Sequence, residues 1–196
     1  LSRYSNLIEV GCDEAGRGSL CGPVVAAAVI LPSNFVNKDL NDSKKISFKK
    51  RNKLSKTIYK EALACEIGIV SPKEIDKINI LQASILSMHK AIKKINLPFD
   101  LILVDGPHFK KYKNIKHECI VRGDSKYLAI AAASIIAKTH RDELMIKMHE
   151  DYPNYKWCRN KGYPTIEHRE AIINFGITDQ HRKSFKLINN QTALNI

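Results

Sequence analysis

The chain has 196 residues, 44% hydrophobic and 27% charged, a balance that supports a folded domain with a sizeable core and excludes a disordered polyelectrolyte. Lys and Arg number 32 against 20 Asp and Glu, a formal charge of +12 with a sequence pI near 9.5. That surplus favours a polyanionic partner, nucleic acid before an anionic membrane: no segment pairs a basic face with exposed bulky apolar residues, and no apolar run is long enough to span a bilayer.

The opening LSRYSNLIEV holds no continuous apolar segment after its Arg, so no secretory signal is expected and the cytoplasm is the expected compartment. Cys12, Cys21, Cys65, Cys119 and Cys158 are odd in number, widely spaced and free of any Cys-x-x-Cys pattern; they read as reduced, mostly buried thiols. Ile8 to Cys12 and Val24 to Leu31 read as two strands joined by a glycine-rich loop. Asp13 and Glu14 fall where the first strand should end. As strand neighbours they point to opposite faces unless the backbone bends, which Gly16 and Gly18 permit, so the pair reads either as a solvated turn or as two groups of one site.

Pro32 to Ile46 is a polar loop, and Ser47 is placed to cap a helix through FKKRNKLSKTIYKEALAC. Lys44, Lys45, Lys49, Lys50, Arg51, Lys53, Lys56 and Lys60 crowd this region, as a solvated face or as phosphate contacts. Ala64 to Val70 suits a strand, and Ser71-Pro72-Lys73-Glu74 opens a helix whose Ile75, Ile78, Leu81, Ile85, Met88 and Ile92 form a core stripe. Leu101 to Val104 is a short buried strand ending in Asp105-Gly106, which reads as a turn or as an acid at the strand-end position where open α/β sheets place their sites. Glu118 to Val121 is a further strand. Asp124 then precedes a long helix with Ile130, Ala133, Ala137, His140, Leu144 and Met148 on one face and Ser134, Lys138 and Arg141 on another. A turn at Lys161 to Pro164 and a helix capped by Thr165 lead into a polar tail expected to fray.

The stretch GCDEAGRGSLCGPVVAAAVIL resembles the first motif of the ribonuclease HII family, the type 2 ribonucleases H. Asp42-Ser43-Lys44-Lys45-Ile46-Ser47 resembles its second motif, with Ile for Leu. Val104-Asp105-Gly106, the segment GDSKYLAIAAASIIAKTHRD, the Gly162-Tyr163 turn and His181-Arg182-Lys183-Ser184-Phe185 resemble later ones, so the likeness covers about residues 8 to 186. Pro164 stands where Gly is common, which would stiffen the approach of Tyr163.

The resemblance implies an α/β, ribonuclease H-like fold: a mixed five-stranded sheet flanked by helices. It implies one catalytic domain over 1–196, with about 150–196 a small C-terminal helical extension. It implies Asp13, Glu14, Asp105 and Asp124 as catalytic residues and ligands of Mn2+ or Mg2+, with Asp142 a secondary candidate. Gly16, Arg17, Gly18, Ser43, Lys44, Lys45, Ser134, Lys138 and Tyr163 would bind substrate. The expected partners are RNA/DNA hybrids and ribonucleotide-containing DNA, cut 5′ of the ribonucleotide to leave a 3′ hydroxyl and a 5′ phosphate, by a monomer with no membrane attachment. Two-metal phosphodiester hydrolysis needs such a set of converging carboxylates, and no nucleophilic-serine motif or phosphate loop competes with it. A ribonuclease HIII-like enzyme and a non-catalytic hybrid-binding module are the alternatives.

Overall fold

The computed structural model describes residues 1–37, 39–40 and 46–188. Strands β1 (Glu9–Ala15), β2 (Val24–Ile30), β3 (Ala64–Val70), β4 (Leu101–Asp105) and β5 (Lys116–Ile120) form one sheet in the order β3-β2-β1-β4-β5. The first three pair antiparallel, while β4 and β5 continue parallel to β1. This is the mixed five-stranded sheet that the resemblance implies.

Helices cover both faces. Helix α2 (Pro72–Lys94) packs Met88, Ala91 and Ile92 against Val10, Cys12, Ala26 and Ala28 on one side. Helices α1 (Phe48–Glu61) and α3 (Leu128–Asp151) bury Leu54, Ile58, Ala133 and Ala137 with Ala27 and Val29 on the other. Because β2 is covered on both faces it is apolar throughout, which explains its unbroken run of Val, Ala and Ile. The short α4 (Trp157–Asn160) and α5 (Ile166–Phe175) complete the C-terminal part.

The capping signals act as read. Ser47 and Ser71 accept from Lys50 N and Glu74 N, Glu74 returns a capping-box bond, and Thr165 accepts from His168 N. Strand β5 starts two residues before the expected Glu118 and ends at Ile120, and other differences have a packing cause. Helix α1 stops at Glu61, because Ala64 and Cys65 pair with Ile30 and Val29 in β3. Strand β1 runs on through Asp13 and Glu14 to Ala15, since β2 continues to supply ladder partners there. Helix α2 is kinked at Asn79, whose φ of 63° and ψ of 166° are not helical; the break shifts the helix phase, so Ala83, Ser84 and Ser87 are buried while Ile78 and Leu81 are only half-buried.

One contact sets the depth of α3. A Cβ on Gly11 would lie 2.1 Å from the Ala129 carbonyl carbon, so β1 and the first turn of α3 meet backbone to backbone. Gly11→Ala is therefore expected to cost about 2 kcal/mol or more in urea unfolding, as overpacking against rigid backbone does. Gly18→Ala, with nothing within 4 Å of the added carbon, should leave the midpoint nearly unchanged.

Candidate active site

Strand register brings the acids together. Parallel pairing of β1 with β4 ends at Cys12 opposite Val104, so the next step along each strand sets Asp13 beside Asp105, about one strand spacing of 4.8 Å away. Beyond that point β1 keeps β2 on one side and has an open edge on the other. Side chains from both faces of β1 can reach around that edge, which is how neighbouring Asp13 and Glu14 line one cleft.

This cleft, about 590 Å³, is walled by Asp13, Glu14, Asp105, Ser134, Lys138 and Tyr163, together with Arg51 and the 15–18 loop. Asp13 Oδ1 accepts from Glu14 N at 2.7 Å, and the Ser134 hydroxyl also bonds its carboxylate. Asp105 Oδ1 accepts from Gly123 N at 2.7 Å. That bond ties the strand end to the 3-10 turn Gly123–Ser125, where Asp124 is buried. Asp124 is not among the side chains on the cleft wall. Burial, then the adjacent Glu14 and Asp105, hold the Asp13 carboxyl well above the ordinary range. Glu14 is raised by burial too, against the opposing pull of Arg17, whose Nη1 lies 3.2 Å from Glu14 Oε1. All four acids offer hard oxygen donors, and the crowding of buried Asp13 by Glu14 and Asp105 suits a divalent cation.

Asp142 is buried between two cations that line the cleft. Arg51 Nη2 lies 2.7 Å from Asp142 Oδ2 and Lys138 Nζ 2.7 Å from Asp142 Oδ1. Arg51, which the sequence groups with surface lysines, is thus buried and faces the cleft; spacing alone carried no signal for it. The ring of Tyr163 sits beneath Lys138 Nζ at 5.2 Å and Arg141 at 5.4 Å. Ser43, Lys44 and Lys45 lie outside the described residues.

The chain belongs to the ribonuclease HII family. The family model for ribonuclease HII matches residues 10–188. The ribonuclease HII of Christiangramia forsetii is 56% identical over 195 residues, 99% of this chain and 98% of that one. That of Parabacteroides distasonis is 58% identical over 187, or 95% and 94%. The ribonuclease H2 of Pyrococcus horikoshii shares the fold with a TM-score of 0.77 at 24% identity, covering 91% of this chain and 94% of that one. The protein is accordingly a ribonuclease H, an endoribonuclease of a family that acts on RNA/DNA hybrids and needs a divalent metal.

A second cluster was invisible in sequence. Cys21, His168 and His181 bring one ligand-type atom each to within 4.8 Å of one another. Hydrogen-bond partners assign the ring protons: His181 Nδ1 accepts from Thr178 N, so its Nε2–H faces His168 Nε2, which also accepts from Trp157 Nε1. His168 Nδ1–H then donates to the Tyr163 carbonyl at 3.0 Å. With these lone pairs committed, the cluster is a neutral relay that holds the Tyr163 turn.

Two outcomes are expected. Asp142→Ala leaves Arg51 and Lys138 without their shared partner and should cost about 3 kcal/mol in denaturant unfolding. His181 is pushed from 6.5 to about 4, first by burial and then by His168. A folded pKa below the unfolded one gives stability present above pH 6.5 and lost as the pH falls toward 4. Across that window the melting temperature of the wild type should drop more steeply than that of His181→Asn; parallel slopes would show that His181 does not titrate on unfolding.

Proposed function

We propose that this cleft hydrolyses the RNA strand of RNA/DNA hybrids and cuts 5′ of single ribonucleotides in duplex DNA, leaving a 3′ hydroxyl and a 5′ phosphate. The reading rests on one observation above the others: the crowding of buried Asp13 by Glu14 and Asp105, which raises its carboxyl. Asp13, Glu14, Asp105 and Asp124 are the residues that would hold the metal, and an all-oxygen set suits Mg2+ or Mn2+. When bound, such cations supply Lewis-acid activation of the phosphodiester and of the attacking water.

The chain's own residues do the rest. Ser134 orients the Asp13 carboxylate, and Gly123 N–H orients Asp105. Lys138 and Arg51, anchored on Asp142, present positive charge to the phosphates without collapsing onto the catalytic acids. The Gly16-Arg17-Gly18 loop brings backbone close to a sugar, whose 2′ hydroxyl both donates and accepts. Tyr163 offers its ring to the next sugar. Ser43, Lys44 and Lys45 would add contacts along the substrate backbone. The basic surplus fits a nucleic-acid substrate, and the proposed setting is a monomeric enzyme in the cytoplasm.

Asp13→Asn, Asp105→Asn and Asp124→Asn are each expected to abolish cleavage of a labelled hybrid while retaining binding in a gel-shift assay. Chelation should have the same effect on the wild type, reversed by Mn2+ or Mg2+. Cleavage that persists in chelator would exclude the metal reading. Binding with no cleavage in either metal would leave a hybrid-binding module.

A further inference from the structure

The segment 178–185 makes no contribution to the cleft wall, yet it grips both loops that do. Gly22 N donates to Gln180 O and Arg182 N to Leu20 O, each at 2.8 Å, so the segment pairs with the chain just after the glycine loop. His181 reaches the Tyr163 carbonyl through His168. Arg182 reaches the glycine loop itself. Its side chain is fully buried; Nε and Nη2 donate to Gly22 O at 3.0 and 2.9 Å, and Nη1 donates to Arg17 O at 3.0 Å.

The Arg17 carbonyl is an informative acceptor. Ser19 N donates to Gly16 O at 3.4 Å, making Arg17 and Gly18 the central residues of a four-residue turn. Type I and type II turns differ by a flip of this central peptide, and type II needs a positive φ at the third residue. Gly18 is free of the Cβ that would forbid the flip, has nothing within 4 Å of a Cβ position, and yet lies outside the positive-φ glycines. The peptide is trans, so its N–H points opposite to its C=O. A guanidinium holding the Arg17 oxygen inward therefore aims the Gly18 N–H outward, on the cleft side where Gly18 lies.

We propose that Arg182 is a positioning residue for ribonucleotide recognition: it locks the Arg17–Gly18 peptide in the orientation that presents the Gly18 N–H to a ribose hydroxyl. This rests on the proposed reading of the cleft. A glycine turn gains close approach to the sugar at the cost of two accessible peptide orientations, and the buried fork of Arg182 removes one of them. A uniform hybrid offers 2′ hydroxyls at every RNA position, whereas a duplex with one ribonucleotide offers one. Losing the fixed donor therefore harms the second substrate more.

The test is Arg182→Lys, which keeps a terminal N–H donor and most of the reach but loses the planar fork. On a DNA duplex with one ribonucleotide, kcat/KM is expected to fall at least about tenfold, mainly in kcat. The ratio of that value to the one for a uniform RNA/DNA hybrid should fall with it. Asp76 accepts from Lys183 N, Ser184 N and Ser184 Oγ at 2.9, 2.9 and 2.6 Å, pinning the segment from the surface; Asp76→Ala should shift the ratio the same way by about two- to threefold. A wild-type ratio in Arg182→Lys, or equal losses on both substrates tracking a lowered melting temperature, would overturn the proposal. Should Arg182→Lys not fold, the ratio in Asp76→Ala decides, and an unchanged ratio there overturns it. A wild-type enzyme that does not cut the single-ribonucleotide duplex defeats the reading of the cleft itself, a failure seen before any substitution is made.

Discussion

Contact between β1 and the first turn of α3 at Gly11 is the constraint from which the site follows. With no Cβ between them, the two backbones approach as closely as a strand and a helix can. Ala131, Ala132 and Ala133 then carry α3 across the sheet without prising it away. The helix arrives preceded by the turn that holds Asp124 and carrying Ser134 within hydrogen-bond reach of Asp13. A bulkier residue at either surface would lift the helix and move both polar groups off the strand tips. The acids on β1 and β4 need no such device, because register alone places them side by side.

Charge is arranged in two layers around those acids. The formal +12 suggests a basic exterior, but Arg51, Arg141 and Arg182 are buried. Arg51 is matched to Asp142. Arg141 spends its hydrogen bonds on the carbonyls of Pro23, Cys21 and Lys161, and its side chain occupies the space a Cβ on Gly16 would need. Burial holds Arg141 below its usual pKa, and burial with the nearby Arg141 pushes Arg182 to about 9. Both cations thus serve as rigid multi-donor brackets for irregular backbone, which has no ladder to satisfy its carbonyls.

Much of this was legible in the residues. Apolar runs ending in acids gave the strand tips at Asp13 and Asp105, and Ser47, Ser71 and Thr165 announced three helix starts because capping is a local interaction with a local signature. The extension of β1 through Glu14 was not legible, since it depends on β2 continuing to pair at Val25 and Ala26. Nor was the kink at Asn79, whose side chain caps Gln82 N within what periodicity reads as one unbroken stripe. Burial of arginine is equally hidden: Arg51 sits among lysines in sequence, and only the docking of α1 on α3 separates it from them. The Cys21, His168 and His181 cluster joins residues 147 and 13 apart in sequence, a spacing that announces nothing.

Acids and the groups proposed to read the ribose need different kinds of support, and the fold supplies each differently. Carboxylates that share a hard divalent cation must meet its narrow coordination geometry. Strand tips tied by register are rigid enough for that purpose. A single N–H aimed at one hydroxyl is just as demanding, since a hydrogen bond weakens steeply once its angle closes. The loop that offers it must also stay free of side chains, and so it lacks packing of its own. Support then has to come from behind, through backbone carbonyls, which is where Arg141, Arg182 and the His168 relay make their bonds. On the proposed reading, the C-terminal segment supports recognition without touching the cleft, and its loss would be felt first in choice of substrate.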